Sequence, residues 1–143
     1  MNKEHTQRIF TDFPEFFKHK EDKMASLMVF GIECGDGWND LIYVLCSNIK
    51  SYFISDDPRH KVPEEFYVTQ IKEKFGGLRF YVSCAPEKVF SFISKAEVES
   101  YKTCEICGNK GKLRDDLPWW KTLCSEHYKE RLNAERRPKS KRN

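Results

Sequence analysis

Four residues near the C-terminal end constrain the fold of this chain most, because their spacing is typical of a metal site. Cys104 and Cys107 form a C-x2-C pair, and after sixteen further residues Cys124 and His127 form a C-x2-H pair. Two thiolates two residues apart can bind one ion from a tight turn, and a second such pair completes a tetrahedron. Three sulfur ligands and one imidazole favour Zn²⁺, so the sequence predicts one structural zinc ion.

The residues around these ligands predict a small zinc finger over 102–137. Gly108 allows the turn after the first pair, residues 112–114 and 119–123 can form a hairpin, and 128–137 contains good helix formers. A knuckle, a hairpin and a helix that carries two ligands resemble the treble-clef zinc finger, an arrangement with many functions. Four protein ligands leave no open position for water, so we expect a structural rather than a catalytic metal.

Upstream of the finger, residues 1–101 are typical of a small α+β domain. Apolar side chains recur at intervals of three and four over 38–53 and 86–101, which predicts two amphipathic helices. The run 27–34 is short, apolar and partly β-branched, which predicts a strand. The expected organisation is an α+β fold with a helix and β-hairpin domain over 1–101, the finger over 102–137 and a basic disordered tail over 138–143.

A further short helix is predicted close to the N-terminus. Thr11 or Asp12 can cap it, and Pro14 suits its first position because the N–H that proline lacks has no partner there. We expect this helix to carry three aromatic side chains: Phe13, Phe16 and Phe17.

The clearest hairpin is predicted over 66–84, where Gly76-Gly77 can form a two-residue turn with positive φ at both positions. That turn pairs Glu73 with Phe80 on an otherwise apolar face, where a carboxylate needs a partner, a helix N-terminus or a raised pKa. The opposite face is a candidate binding surface, formed by Lys72, Lys74, Arg79 and Tyr81. An ordinary solvated sheet face explains the same alternation.

Acidic residues form a second candidate site, for acid–base chemistry or a divalent cation: Glu33, Asp36 and Glu73. Asp36 stands between two glycines just before a predicted helix, so turn formation and helix capping also explain it.

Positive charge is concentrated at the C-terminal end of the chain. Segment 128–143 holds seven basic and two acidic residues, whereas the whole chain has a net charge of +3. Arg131, Arg136 and Arg137 can attract phosphates or carboxylates, and Trp119 and Trp120 can stack on bases. A solvated terminus and packing of the tryptophans against the finger are the alternatives.

Several motifs together resemble a group of small, uncharacterised bacterial and bacteriophage proteins. They are GIECGDGW at 31–38, IKEKFGGLRFY at 71–81, CEICG at 104–108 and KTLCSEH at 121–127. The resemblance spans most of residues 27–127 and excludes the basic tail. It implies a zinc-bearing accessory protein in the bacterial cytoplasm, and it implies no activity.

Three functions follow as hypotheses, and the third is an enzyme centred on Glu33, Asp36 and Glu73. The first is a non-enzymatic accessory protein that binds a host or phage protein as an inhibitor or adaptor. The alternative is a protein that binds DNA or RNA through the finger, the basic hairpin face and the tail. We expect no catalytic residues, because no motif pairs a nucleophile with a base. An enzyme would have to use the acidic site. No apolar run approaches the roughly 18 residues of a membrane span.

Overall fold

The computed structural model describes residues 1–55, 57 and 59–138 and confirms a mixed α+β fold. Its α-helices are α1 (Lys3–Asp12), α2 (Asn39–Ile54), α3 (Glu87–Ser100) and α4 (Ser125–Glu135). Its strands are β1 (Ile32–Glu33), β2 (Val68–Lys74), β3 (Gly77–Val82), β4 (Lys112–Arg114) and β5 (Lys121–Leu123). The first three strands form one sheet in the order β1-β2-β3, and β4 and β5 form a separate hairpin.

Two hydrophobic clusters lie inside this fold. The larger one joins the three-stranded sheet to helices α1, α2 and α3, with Trp38, Ile42, Ile71 and Leu78 fully buried. It confirms the two amphipathic helices, since their apolar stripes face this core. The smaller cluster lies in the finger, where Leu117 and Leu123 pack around Cys104.

The predicted short helix near Pro14 is wrong in position. Helix α1 ends at Asp12 instead of beginning there, and the Asn2 side chain caps it by accepting from the His5 N–H at 2.8 Å. Successive turns follow Pro14, in which the Phe16 and Phe17 N–H groups donate to carbonyls three residues earlier. These turns still bury all three predicted phenylalanines: Phe13, Phe16 and Phe17.

The predicted strand over 27–34 is much shorter in the structure. Residues Met28–Phe30 form a single 3₁₀ turn, and only Ile32–Glu33 pairs with β2, in parallel. Gly31 has a φ of 74°, so the chain changes direction at this residue. Phe30 is consequently exposed, although its side chain is among the most apolar of the run.

The hairpin prediction is right about the two strands and wrong about the turn between them. Glu73 lies opposite Leu78 and Lys74 opposite Gly77, so the turn residues are Phe75 and Gly76, with φ of 53° and 82°. Each β2 residue beside the turn therefore pairs with the β3 residue two positions before the predicted one. A shift of two residues leaves the side chains on their predicted faces of the sheet. A Cβ on Gly77 would collide with the Tyr101 ring, which shows that this glycine serves close packing and not the turn.

Among the described helices, none combines the length and the apolar character that crossing a membrane requires.

Candidate metal centre

The structure brings the four predicted metal ligands together. Their ligand atoms all lie within 4.8 Å of one another. His127 Nδ1 is 3.2 Å from Cys124 Sγ and 3.6 Å from Cys104 Sγ, and Cys107 Sγ is 3.9 Å from Cys124 Sγ. A tetrahedral site with Zn–S distances of about 2.3 Å and Zn–N distances of about 2.0 Å has ligand separations of about 3.5–3.8 Å. The cluster therefore has the dimensions of a metal site.

Local backbone structure positions both ligand pairs. The first pair lies in a turn that Gly108 closes, with a φ of 79° and an N–H that donates to the Cys104 carbonyl at 2.9 Å. The second pair begins α4, where Cys124 is the N-cap and its Sγ accepts from the His127 N–H at 3.5 Å. On the other side of the imidazole, Glu130 Oε2 lies 4.0 Å from His127 Nε2, one helical turn along α4.

The thiols differ in their readiness to ionise. Burial raises the pKa of Cys104, but hydrogen bonds from the backbone of Cys124, Cys107 and Ile106 outweigh it and lower that pKa overall. At Cys107 a backbone hydrogen bond from Asn109 lowers the pKa, whereas burial and the two neighbouring thiols raise it overall. Three thiolates this close repel one another, so a divalent cation between them stabilises the ionised state.

The glycine-rich motif before α2 packs directly against the metal-binding turn. The Gly37 N–H donates to the Glu105 carbonyl at 2.7 Å, and Trp38 Nε1 donates to the Thr103 carbonyl at 2.8 Å. A Cβ on Gly37 would collide with the Cys104 carbonyl, so only glycine permits this approach. The metal site is thereby attached to the N-terminal part of the chain.

Glu73 has the charged partner that its place on an apolar face requires. Its carboxylate forms an ion pair with Lys121 on β5, and Lys121 Nζ also lies 3.4 Å from Glu105 Oε1. The exposed fractions of the Glu73 and Glu105 side chains are 17% and 10%. Burial raises the pKa of Glu105, and Lys121 opposes that shift. The sequence alone does not predict the contacts of Lys121 with Glu73 and Glu105. These partners lie 48 and 16 positions from Lys121, and no local pattern relates residues so far apart.

The three residues of the predicted acidic site have three separate sets of partners. Glu33 accepts from Gln70 Nε2 at 3.4 Å, and Asp36 accepts from the Asn2 N–H at 2.8 Å, with His5 Nδ1 at 3.1 Å. Glu73 pairs with Lys121, as described above. Among the described residues, the Cys/His cluster is the one group of three or more histidine, cysteine or acidic side chains placed to hold a metal ion.

The basic face of the β2–β3 hairpin is partly occupied by contacts within the chain. Arg79 Nη2 donates to the Tyr101 hydroxyl at 3.3 Å, and Arg79 Nη1 lies 3.9 Å from Glu97 Oε2. Lys72 is half-buried opposite Arg79, while Lys74 and Tyr81 are exposed. Only part of this face is therefore available to a phosphate.

Both predicted tryptophans are exposed, and they adjoin the hairpin turn. We call Phe75, Trp119 and Trp120 the aromatic patch; their exposed fractions are 63%, 74% and 46%. The Phe75 and Trp120 rings meet edge to face, with centroids 6.3 Å apart. Thr122 Oγ1 donates to the Gly76 carbonyl at 2.6 Å, which holds the two loops together.

The C-terminal arginines lie on or just after α4. Arg131 Nε is 3.3 Å from Glu135 Oε1, so Arg131 is paired on its own helix. Arg136 and Arg137 are exposed. Most of the predicted tail, residues 139–143, lies outside the described residues.

Comparison with known proteins finds no matching family model, no match among curated proteins and no match among solved structures.

Proposed function

We propose that this chain is a zinc-binding accessory protein that acts by binding another protein rather than by catalysis. The proposed metal is one structural Zn²⁺ on Cys104, Cys107, Cys124 and His127. Three soft sulfur ligands and one imidazole support zinc, and four protein ligands complete its usual coordination. The order of turn, β4–β5 hairpin and α4 supports a treble-clef arrangement. A host or phage protein as the partner stays a prediction of the resemblance.

The observation that carries the binding proposal is the conformation of Phe75. This residue holds a φ of 53° at the first position of a two-residue turn, where asparagine, aspartate or glycine is strongly preferred. Its side chain is 63% exposed, so burial in the fold does not compensate for the strain. An unfavourable conformation that displays an aromatic ring supports a role in recognition.

The size of the aromatic patch supports the same conclusion. An aromatic side chain presents about 150–250 Å² of surface, so the exposed parts of the three side chains sum to an apolar area on the order of 400 Å², with the Phe75 and Trp120 rings in contact and Trp119 next to Trp120 in the chain. Apolar patches of this size on a single chain are often functional. A standard protein interface covers about 800 Å² per partner, so the patch would form the centre of an interface and not all of it.

Arg79 favours a protein over a nucleic acid as the partner. Its guanidinium donates to the Tyr101 hydroxyl and the Leu78 carbonyl and lies 3.9 Å from Glu97, so it is engaged within the chain, and Lys72 and Lys74 are the cations that this face can offer a phosphate backbone. Lys74 Nζ lies 5.6 Å from the Phe75 ring centroid, so a cation adjoins the aromatic patch. An apolar centre with charged neighbours at its rim resembles a protein interface.

Affinity capture from lysate of a bacterial host, with and without nuclease treatment, tests this proposal. The zinc-loaded chain should retain a discrete protein at moderate salt, and the Phe75→Asn and Trp119→Ala variants should lose it. Phe30→Ala removes an equally exposed ring elsewhere, so it should retain the same protein. Recovery of nucleic acid with a steep salt dependence, or unchanged capture by Phe75→Asn, would contradict the proposal.

A further inference from the structure

The aromatic patch is built from two parts of the chain that belong to different hydrophobic clusters. Phe75 lies at the turn between β2 and β3, and the buried side chains of the larger cluster all come from residues 9–96. Trp119 and Trp120 lie between β4 and β5 in the finger, whose small cluster comes from residues 104–132. The patch therefore exists only while the finger is docked on the central hairpin.

Thr122 on β5 contacts both the hairpin turn and the metal-binding turn. Its side chain is fully buried, and its hydroxyl donates to the Gly76 carbonyl at 2.6 Å. Its backbone carbonyl accepts from the Glu105 N–H at 3.0 Å. Glu105 follows the predicted ligand Cys104, and β5 ends one residue before the predicted ligand Cys124. The segments that carry metal ligands therefore fix the position of Thr122 against the hairpin turn.

Packing between the hairpin turn and the finger is close. A Cβ built on Gly76 would lie 2.5 Å from Leu113 Cδ1 on β4 and 3.4 Å from the carbonyl carbon of Trp120. The Phe75 and Trp120 rings meet edge to face across the same boundary. Since all these contacts involve β4, β5 or the loop between them, displacement of the finger hairpin would remove them together.

The finger has little apolar packing of its own to hold its hairpin in place. Its buried apolar side chains among the described residues are Leu117 and Leu123, together with the predicted ligand Cys104. Units of fewer than about 40 residues usually need a metal, disulfides or a partner to fold, and the free energy of metal binding then contributes to folding. Of the four predicted ligands, none belongs to the larger cluster, so that cluster does not depend on the metal in the same way.

We infer that zinc assembles the aromatic patch, so that the chain presents its binding surface only in the zinc-loaded state. Without the metal, β4 and β5 lose the fixed ends that hold Thr122 against Gly76, and the two tryptophans move away from Phe75 while the larger cluster stays folded. The link to partner binding rests on the proposed function, whereas the assembly of the patch is a property of this chain alone. Zinc thus controls recognition through the geometry of the surface and not through a contact between metal and partner.

The test is ¹⁵N NMR of the indole N–H groups in the full, reduced chain, with zinc and after its removal with EDTA. The chain has three tryptophans, and the Trp119→Phe and Trp120→Phe variants assign their resonances. In the zinc-loaded chain, Phe75→Asn should shift the Trp120 indole resonance, because it removes the neighbouring ring. After zinc removal, this Phe75-dependent shift should fall at least about fivefold, whereas the methyl resonances of Ile71 and Leu78 should stay dispersed.

Two outcomes of this measurement would overturn the inference. A Phe75-dependent shift of unchanged size in the zinc-free chain would show that the patch assembles without the metal. Loss of dispersion in the methyl resonances of Ile71 and Leu78 would show that zinc holds the whole fold together instead of assembling the patch.

Thr122→Val tests the connection between the two turns without changing a metal ligand. It removes the hydroxyl that donates to Gly76 and keeps the shape of the side chain, so the variant should keep its zinc by elemental analysis while the Phe75-dependent shift falls about twofold or more. The matched control is Thr103→Val, which removes a hydroxyl that donates to the Glu99 carbonyl at 2.9 Å and should leave the shift unchanged. An unchanged shift in Thr122→Val would contradict the inference.

Affinity capture separates this inference from the proposed function. The zinc-loaded chain should capture its partner, and the EDTA-treated chain should lose it at equal protein concentration. Equal capture by both forms would refute zinc control of the surface. Failure of capture by both forms, with the NMR result as expected, would contradict the protein-binding proposal alone and would still support assembly of the patch by zinc.

Discussion

The carboxylate of Glu73 on β2 forms an ion pair with Lys121 on β5, 48 residues later in the chain. Lys121 also contacts Glu105, which is adjacent to the metal ligand Cys104. One ammonium group therefore connects the central hairpin, the hairpin of the finger and the metal-binding turn. The hydrogen bonds of Gly37 and Trp38 to the same turn add to this connection. We expect the stability of the metal site and that of the N-terminal core to be coupled.

Removal of Lys121 should be more harmful than removal of Glu73. Lys121→Met leaves two largely buried carboxylates facing each other and should lower the free energy of unfolding by about 2–4 kcal/mol. Glu73→Gln leaves the lysine paired with Glu105 and should cost about 1 kcal/mol. Urea denaturation of the zinc-loaded variants measures both values. Equal losses in the two variants would contradict the shared role of Lys121.

Loss of a metal ligand should release the metal and destabilise more than the finger. We expect Cys107→Ser and His127→Ala to lose the one zinc per chain that elemental analysis should find in the unmodified protein. Zinc binding contributes on the order of 10 kcal/mol in comparable sites, which the small finger core cannot replace. Because the metal-binding turn contacts Gly37 and Trp38, the melting temperature of the whole chain should also fall.

Cys84→Ser is the matched control for the ligand variants, since Cys84 is an exposed free thiol outside the cluster. It should keep both the zinc and the melting temperature. Retention of one zinc per chain in the Cys107→Ser and His127→Ala variants would show that the ligand set is wrong.

Phe75→Asn should stabilise the fold while it removes binding. Asparagine adopts positive φ more readily than phenylalanine, so this change should raise the free energy of unfolding by about 0.5–1 kcal/mol. Thermal denaturation measures the expected gain in stability, and affinity capture measures the expected loss of partner binding. A less stable Phe75→Asn variant would mean that the ring contributes packing energy within the chain.

Gly77→Ala tests the turn that the structure assigns. The added methyl collides with the Tyr101 ring, so we expect a loss of about 1–3 kcal/mol. Tyr101→Leu should rescue part of that loss in the double variant, because the smaller side chain leaves room for the methyl. The absence of any rescue would indicate that Gly77 is required for its backbone conformation and not for space.

Cys34 should resist alkylation in the native protein. Burial, reinforced by the charge of Glu105, raises the pKa of its thiol to about 12, so at pH 8 it stays protonated and unreactive. Iodoacetamide followed by mass spectrometry should modify the exposed Cys84 first and Cys34 only after unfolding. The unfolded thiol ionises near pH 9, so this group should also lower stability as pH rises from about 9 towards 12. Equal labelling rates would contradict the burial of Cys34.

Short-range patterns in the sequence determined the four clustered Cys and His residues, the helices α2 and α3 and the two faces of the central hairpin. Each of these depends on spacing within a few residues: the C-x2-C and C-x2-H pairs, the apolar periodicity, and the alternation along a strand. The same alternation placed Glu73 on an apolar face and required a partner for it. Such features follow from backbone geometry that every chain shares, so they could be predicted without the fold.

Tertiary structure alone decided the partner of Glu73, the turn at Phe75-Gly76 and the end of α1. Local preference favours a turn at Gly76-Gly77, whereas the Tyr101 ring, 24 positions after Gly77, packs where a Cβ on Gly77 would lie, and the turn forms at Phe75-Gly76. Lys121 reaches Glu73, and Gly37 reaches the Cys104 carbonyl, only after segments remote in sequence have packed together. No local periodicity in the sequence predicts these contacts, because they arise from the excluded volume and charge of the whole core.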